Sequence, residues 1–285
     1  MNSNLWIEEH LEDFLQIKYR VDEILYSGKS SFQSVDVVKT RGYGKMLLND
    51  GLVMVSEKDE FIYHDMIAHI PLFVHPEPEN VLVIGGGDGG TVREVCRHES
   101  VKKCVMVEID KMVVDASRKY LPTMACGMDN PQVDVQICDG VDFVKNTEDK
   151  FDVVLVDSTD PIGPATPLFG SEFYSDVHRI LSQDGIVVSQ GESPFYYRPM
   201  QRKLLSLLGK FFPVVSLYNF TNMTYPGGFW SFSFASKKYH PLKDMDFRKV
   251  ENSRLNFDFY NSEVHRASFA LPEFMQKEYR NLLKV

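Results

Sequence analysis

Val81-Leu82-Val83-Ile84-Gly85-Gly86-Gly87-Asp88-Gly89-Gly90 joins an apolar run to a glycine loop, and that join decides the fold. Four consecutive apolar residues read as a strand buried on both faces, and the glycines supply a tight turn into a helix. With no Cβ in the way, a nucleotide ligand can approach the loop backbone closely. Gly85, Gly87 and Gly90 satisfy the spacing GxGxxG, which is a weak signal alone. Asp88 sharpens it. A carboxylate beside the helix N-terminus, where a pyrophosphate would rest, repels an anion and attracts a cation. Unit charges about 4 Å apart interact by about 4 kcal/mol at an effective dielectric near 20, enough to choose between ligands.

Outward from the loop, buried-strand candidates at 80–84, 103–108, 133–138, 152–157 and 186–190 alternate with helical patterns at 89–98, 110–120 and 171–182. The alternation predicts an α/β fold with a doubly wound, Rossmann-like parallel sheet and ligands at the carboxyl ends of its strands. A helix at 198–211 precedes two extended runs, Val214 to Phe220 and Phe229 to Ala235, separated by the turn Tyr225-Pro226-Gly227-Gly228. Two adjacent extended runs predict an antiparallel pair closing one sheet edge, as in class I methyltransferase-type folds. On the other side of the loop, Phe61, Ile62, Met66, Ile67 and Ile70 keep helical spacing as far as Pro71, near which the helix is expected to end. Residues 1–57 alternate short extended runs with turns, including the hairpin signal Asp50-Gly51, and read as a small N-terminal antiparallel β domain before a catalytic domain at 58–285. The polar stretch from Lys237 to Arg254 is expected to be mobile surface.

The chain has 285 residues, 44% hydrophobic and 25% charged, enough to bury a full core. Its formal net charge of −9 argues against nonspecific nucleic-acid or anionic-membrane binding and suits a polycationic small substrate. Cys96, Cys104, Cys126 and Cys138 stand singly, without a CxxC pair, so zinc is not expected and a reducing compartment is. No apolar stretch reaches the roughly 18 residues of a membrane span, and Glu8, Glu9, Glu12 and Asp13 stand where a signal peptide would be basic and then apolar. The expectation is a cytoplasmic protein.

Acidic residues recur at strand ends. Glu108 closes the second strand of the main domain, where an acid accepts from both ribose hydroxyls in nucleotide-binding folds; the alternative is a helix N-cap, for which Asp110 is better placed. Asp139-Gly140 ends the third strand and reads either as an adenine-amine acceptor beside a glycine that admits the ring, or as a plain turn. Asp157-Ser158-Thr159-Asp160-Pro161-Ile162-Gly163-Pro164 is the densest signal, two carboxylates at a strand end in a cleft mouth, set against an ordinary Asp-Pro turn. The segment from Gly163 to Phe169 is stiff and apolar enough to serve as a lid. Within Asp59-Glu60-Phe61-Ile62-Tyr63-His64, where the β unit meets the main domain, Tyr63 and His64 read equally as site or packing residues.

These acids disfavour a nicotinamide dinucleotide, with its two phosphates, and S-adenosylmethionine, with its carboxylate. Decarboxylated S-adenosylmethionine, carrying a sulfonium and an ammonium, fits the field.

In these motifs the chain resembles the spermidine synthase family of polyamine aminopropyltransferases. The likeness runs through Asp59 to His64, Ile84 to Gly90 with Arg93-Glu94-Val95, Val107 to Asp110, Asp157 to Pro164, Gln190-Gly191-Glu192, Thr224-Tyr225-Pro226, Tyr260 to His265 and Phe269 to Pro272. The resemblance implies that Gln33, Glu108, Asp139, Gly140 and Pro164 hold the thioadenosine part of the donor, and that Asp88 grips its aminopropyl amine. It implies that Tyr63 and His64 line the polyamine channel, that Asp157 accepts the proton, assisted by Tyr63, and that Asp160 and Tyr225 position the attacking nitrogen. Trp6 and Gln190 would lie at the far end of the acceptor groove. Where the family often has proline before Thr-Tyr, this chain has Met223, and the turn runs on as Gly227-Gly228-Phe229-Trp230, which bears on acceptor length.

The reaction so implied is attack of a putrescine amine on the aminopropyl methylene beside the sulfonium, giving spermidine and methylthioadenosine. Decarboxylated S-adenosylmethionine is a co-substrate; no cofactor or metal is expected, nor a nucleic-acid or membrane partner. Family analogy suggests a homodimer or homotetramer. The rival readings are a diamine N-methyltransferase of the same fold and a catalytically silent nucleoside-binding subunit.

Overall fold

In the computed structural model, which describes residues 5–11, 13–159 and 163–285, two sheets are built along the chain. The first is a five-stranded antiparallel sheet of β1 (Leu5–Leu11), β2 (Leu15–Lys29), β3 (Ser34–Thr40), β4 (Gly44–Asn49) and β5 (Leu52–Ser56), each paired with the next. Asp50 and Gly51 both have positive φ, 48° and 81°, so the turn after β4 is the left-handed two-residue type that the Asp-Gly step predicts. One face of this sheet, with Val35, Val37, Leu47 and Val55, packs against Val113, Ala116, Leu121 and Met124 of the second domain.

α1 (Glu60–Val74) opens the second domain and packs in the core of its sheet. It does not stop at Pro71. The missing amide of Pro71 costs one hydrogen bond, while Leu72, Phe73 and Val74 are buried and the His75 amide bonds back to the Pro71 carbonyl at 2.9 Å, so packing carries the helix one turn further. Next along α1 from His64, Asp65 accepts the amides of Phe259 and Tyr260 at 2.9 and 3.0 Å, fastening the C-terminal part of the chain to the helix.

The second sheet runs through β6 (Asn80–Gly85), β7 (Lys103–Glu108), β8 (Val133–Ile137), β9 (Phe151–Asp157), β10 (Leu181–Gln190), β11 (Val214–Thr221) and β12 (Phe229–Ser236), in the order β11-β12-β10-β9-β6-β7-β8. β10, β9, β6, β7 and β8 are parallel; β12 and β11 close the edge antiparallel. The parallel strands need helical crossovers, which α2 (Gly90–Val95), α3 (Lys111–Tyr120), α4 (Pro122–Ala125), α5 (Gly140–Asn146) and α6 (Ser171–Ile180) supply; α7 (Arg198–Phe211) leads to the antiparallel pair. The chain order reverses between β6 and β9, the switch point at which ligands bind in such sheets. There Gly85 pairs with Asp157, and Ile84 with Val107, so Gly85, Glu108 and Asp157 end side by side.

Lys237 to Arg254, expected to be mobile, is packed. It contains α8 (Arg248–Asn252), and Met245 and Val250 are buried in the main core with Tyr260. α9 (Ser262–Ser268) and α10 (Glu273–Tyr279) follow. No helix among the described residues is long and apolar enough to cross a membrane, and all four cysteines are free.

Candidate active site

A cavity of about 260 Å³ opens between the two sheets, bounded by the glycine loop, the ends of β7, β9 and β10, and strands of the N-terminal sheet. Gly85 shapes its floor. Its φ of +83° suits glycine alone, and a Cβ there would lie 2.0 Å from the Asp157 carbonyl oxygen. The Gly86 amide donates to that same carbonyl at 2.8 Å, so loop and strand end are one unit.

At one end stands Glu108. Asp110, not Glu108, caps α3, accepting from the Met112 amide at 2.9 Å; Glu108 instead accepts from the Asp110 amide at 2.9 Å and faces the cavity. Burial pushes its carboxyl up to about 7, against the pull of backbone amides at 109 and 110. Gln33 also lines the cavity and donates to Asp110 at 3.1 Å. Asp139 caps α5 through the Val141 amide at 2.7 Å and, with Gly140, forms part of the same wall. Asp139 is thus a helix cap and a part of the cavity wall at once.

At the centre two carboxylates meet. Asp157 accepts from the Tyr63 hydroxyl at 2.7 Å and from the Thr91 hydroxyl at 2.6 Å, one on each oxygen. Asp88 accepts the Gly90 amide at 2.7 Å and lies 3.2 Å from His64 Nε2. Burial and the neighbouring Asp88 hold the Asp157 carboxyl above its ordinary range. Asp88 is drawn below its own, because His64 and the Gly90 amide overcome burial. His64 is almost wholly buried, yet Asp88 on one nitrogen and Glu60 on the other, at 2.5 Å, raise it to about 10 against desolvation. His64 thus stands between Glu60 and Asp88, and the cleft's acids have a histidine set among them.

The far end is walled by Gln190, Tyr225, Trp230 and the N-terminal strand. Tyr225 donates to the Met54 carbonyl at 3.0 Å, and its ring stands edge-on to Tyr63 at 5.8 Å. The loop carrying it is held by Asp59, which accepts the Met223 and Thr224 amides at 2.6 and 2.9 Å, the Ser56 hydroxyl at 2.8 Å and the Thr224 hydroxyl. Trp6 does not line the cavity: strand alternation puts Glu9 and Leu11 of β1 on the cavity side and leaves Trp6 on the other face, 48% exposed. Asp160 and the Pro164 side chain lie outside the described residues.

Four residues that sequence reasoning did not assign stand out. Thr91 binds Asp157, Asp59 anchors the loop of Tyr225, Glu60 holds His64, and Glu9, buried and taking the Val53 amide at 2.9 Å, adds a carboxylate at the far end. Glu9 carried a signal, since it alternates in phase with Ile7 and Leu11, and Asp59 and Glu60 open the acid-aromatic run that ends at His64.

Comparison with known proteins agrees with this geometry. Residues 60–247 match the spermine/spermidine synthase domain, and residues 5–57 the spermidine synthase tetramerisation domain. Polyamine aminopropyltransferases from Clostridium perfringens (strain ATCC 13124) and Alkaliphilus metalliredigens are 48% and 46% identical, over 98% and 97% of this chain and 99% and 98% of their own. A crystal structure of spermidine synthase in complex with the transition state analogue AdoDATO superposes with a TM-score of 0.96 at 41% identity, covering 98% of this chain and 96% of that one. Spermidine synthase from Thermotoga maritima gives 0.94 at 40% identity over the same shares. On these matches the chain belongs to the spermine/spermidine synthase family and is an aminopropyltransferase.

Proposed function

We propose that the enzyme transfers the aminopropyl group of decarboxylated S-adenosylmethionine to putrescine, giving spermidine and methylthioadenosine. The observation that carries this reading is the single cavity with Glu108 at one end, Asp88 and Asp157 at its centre, and Glu9 beside Gln190 and Tyr225 at the other. Glu108 receives the ribose hydroxyls, Asp139 and Gly140 flank the adenine with Gln33 nearby, and Asp88 receives the donor ammonium. The acceptor lies between Asp157 and Glu9, its two cationic ends each facing a carboxylate, with Tyr63, His64, Tyr225 and Gln190 along its length. Pro164 and Asp160 complete the nucleoside and amine positions by likeness to the family pattern.

The step is an in-line displacement. The amine lone pair forms a bond to the methylene beside the sulfonium, the carbon–sulfur bond breaks toward sulfur to leave a neutral thioether, and the nitrogen's proton passes to Asp157. The sulfonium activates its own departure, so the protein supplies position and a proton acceptor. An alkylamine has a pKa near that of lysine, about 10.4, and arrives protonated. The adjacent sulfonium lowers that value once both substrates are bound, and the raised proton affinity of Asp157 narrows the remaining gap.

The match of residues 5–57 to a tetramerisation domain supports a homodimer or homotetramer, and the four free cysteines support a reducing, cytoplasmic setting. The deciding experiment offers 13C-labelled putrescine together with cadaverine and unlabelled spermidine, with decarboxylated S-adenosylmethionine in one arm and S-adenosylmethionine in a second, and identifies products by mass. Spermidine formed from putrescine as the main product is expected; a methylated diamine made from S-adenosylmethionine, or no product, would refute the reading.

A further inference from the structure

Arg93, Glu60, His64 and Asp88 form an unbroken line of alternating charge that ends in the cleft. Arg93 of α2 holds both Glu60 oxygens, each at 2.9 Å. Glu60 takes His64 Nδ1 at 2.5 Å one helical turn on, and His64 Nε2 lies 3.2 Å from Asp88. The ring sits over the start of α2, where Gly90 leaves the room: a Cβ there would fall 2.1 Å from the imidazole. A carboxylate on each ring nitrogen is an arrangement that only the imidazolium satisfies, because a neutral ring would turn a lone pair on one of them.

The two central carboxylates therefore differ in their surroundings. Asp88 faces a fixed cation, whereas Asp157 accepts from two uncharged hydroxyls. The charged groups around His64 are Glu60 on its own helix, Asp88 from the glycine loop, Arg93 of α2 behind Glu60, and Asp157 at the end of β9.

We propose that Arg93 and Glu60 are positioning residues that act through His64, fixing a cation against Asp88 so that Asp88 stays ionised for the donor ammonium and Asp157 is the carboxylate that takes the proton. The proposal rests on the roles given above to Asp88 and Asp157. The opposite displacement of the two carboxyls, Asp88 down and Asp157 up, accords with it, as does the elevation of His64 to about 10. Environments that push two neighbouring carboxyls apart mark a division of acid–base labour.

The first test needs no variant. In ring-15N-labelled wild-type protein, both His64 nitrogens stay protonated from pH 6 to 9; a neutral ring at pH 7 overturns the proposal. The second is a double-mutant cycle on the pH profile of kcat/KM. His64→Gln keeps a donor toward Asp88 without the charge, and the acid limb moves up by about one pH unit, since loss of the cation facing it raises the proton affinity of Asp88, which must be ionised to hold the donor ammonium. Glu60→Gln produces the same shift alone and adds none in the His64→Gln background. Additive shifts, or activity lowered equally at every pH with the limb unmoved, overturn the proposal. Methylthioadenosine, which lacks the ammonium, binds both variants within twofold of wild type and so reports an intact nucleoside pocket. Asp157→Asn is the separate control: wild-type turnover there refutes the base assignment itself, whatever the His64 variants do.

Discussion

Tyr63 and Asp157, 94 residues apart in the chain, share a hydrogen bond of 2.7 Å from hydroxyl to carboxylate, at the point where α1 meets the end of β9. Burial and the Asp157 charge hold the tyrosine well above its ordinary pKa, so it stays protonated and donates. Asp157→Asn preserves shape and removes the acceptor. Turnover with both substrates saturating is expected to fall roughly 10²- to 10⁴-fold with little change in donor KM. Steady-state kinetics checks it, and an unchanged kcat would remove Asp157 from the mechanism.

Asp59 caps nothing in its own helix; its carboxylate holds the loop of Tyr225. Asp59→Ala leaves two loop amides without their acceptor, which is expected to cost about 3 kcal/mol of stability. Acceptor KM should rise several-fold more than donor KM. Equal effects on the two, measured beside urea unfolding, would mean that the loop does not depend on this residue.

Glu108 predicts a pH dependence with a definite sign. With its carboxyl raised to about 7, the folded protein holds a proton between pH 4.5 and 7 that the unfolded chain has lost, so this group's contribution to stability falls as pH rises through that window. The slope cannot exceed about 1.4 kcal/mol per pH unit. Wild type minus Glu108→Gln in chemical denaturation isolates it. Ribose hydroxyls donate to the ionised form, so methylthioadenosine binding to wild type weakens below pH 7, up to about tenfold per unit. Calorimetry showing pH-independent binding from 6 to 8 would contradict the ribose role.

Gly85→Ala meets both an unfavourable φ and the Asp157 carbonyl at 2.0 Å. A backbone oxygen cannot swing aside, so a loss of at least about 3 kcal/mol is expected, with activity abolished. Thermal unfolding within a degree of wild type would show that the loop adapts.

The parallel sheet was legible because strands covered on both faces read as continuous apolar runs, as in Val81 to Ile84 and Val153 to Val156. The 15-residue β2 was not, since it is half exposed and its register shifts twice against β3, which blurs any alternation. Pro71 misled because the local rule was outweighed by the burial of the three residues after it. Among the site residues, Glu108 and Asp157 announce themselves as acids closing apolar strands, and Asp88 as an acid among the loop glycines. Glu60 and Asp59 stand in a legible run, but their roles do not show: their partners Arg93 and Thr224 are 33 and 165 residues away, and a carboxylate at a helix start reads as ordinary N-terminal charge. Trp6 was misplaced by likeness alone, and the pleat of β1 corrects it.

Synthesis proceeds from the N-terminus, yet the brace on α1 comes from Phe259 and Tyr260, whose amides close on Asp65. The rod bearing Tyr63 and His64, already packed on the sheet and bonded by the Tyr218 hydroxyl at the Met66 carbonyl, receives this last clamp after almost every other element has been made. A nascent or C-terminally clipped chain can own every reactive group and still lack one brace of the scaffold that aims them, so catalytic competence is the last property this polypeptide acquires.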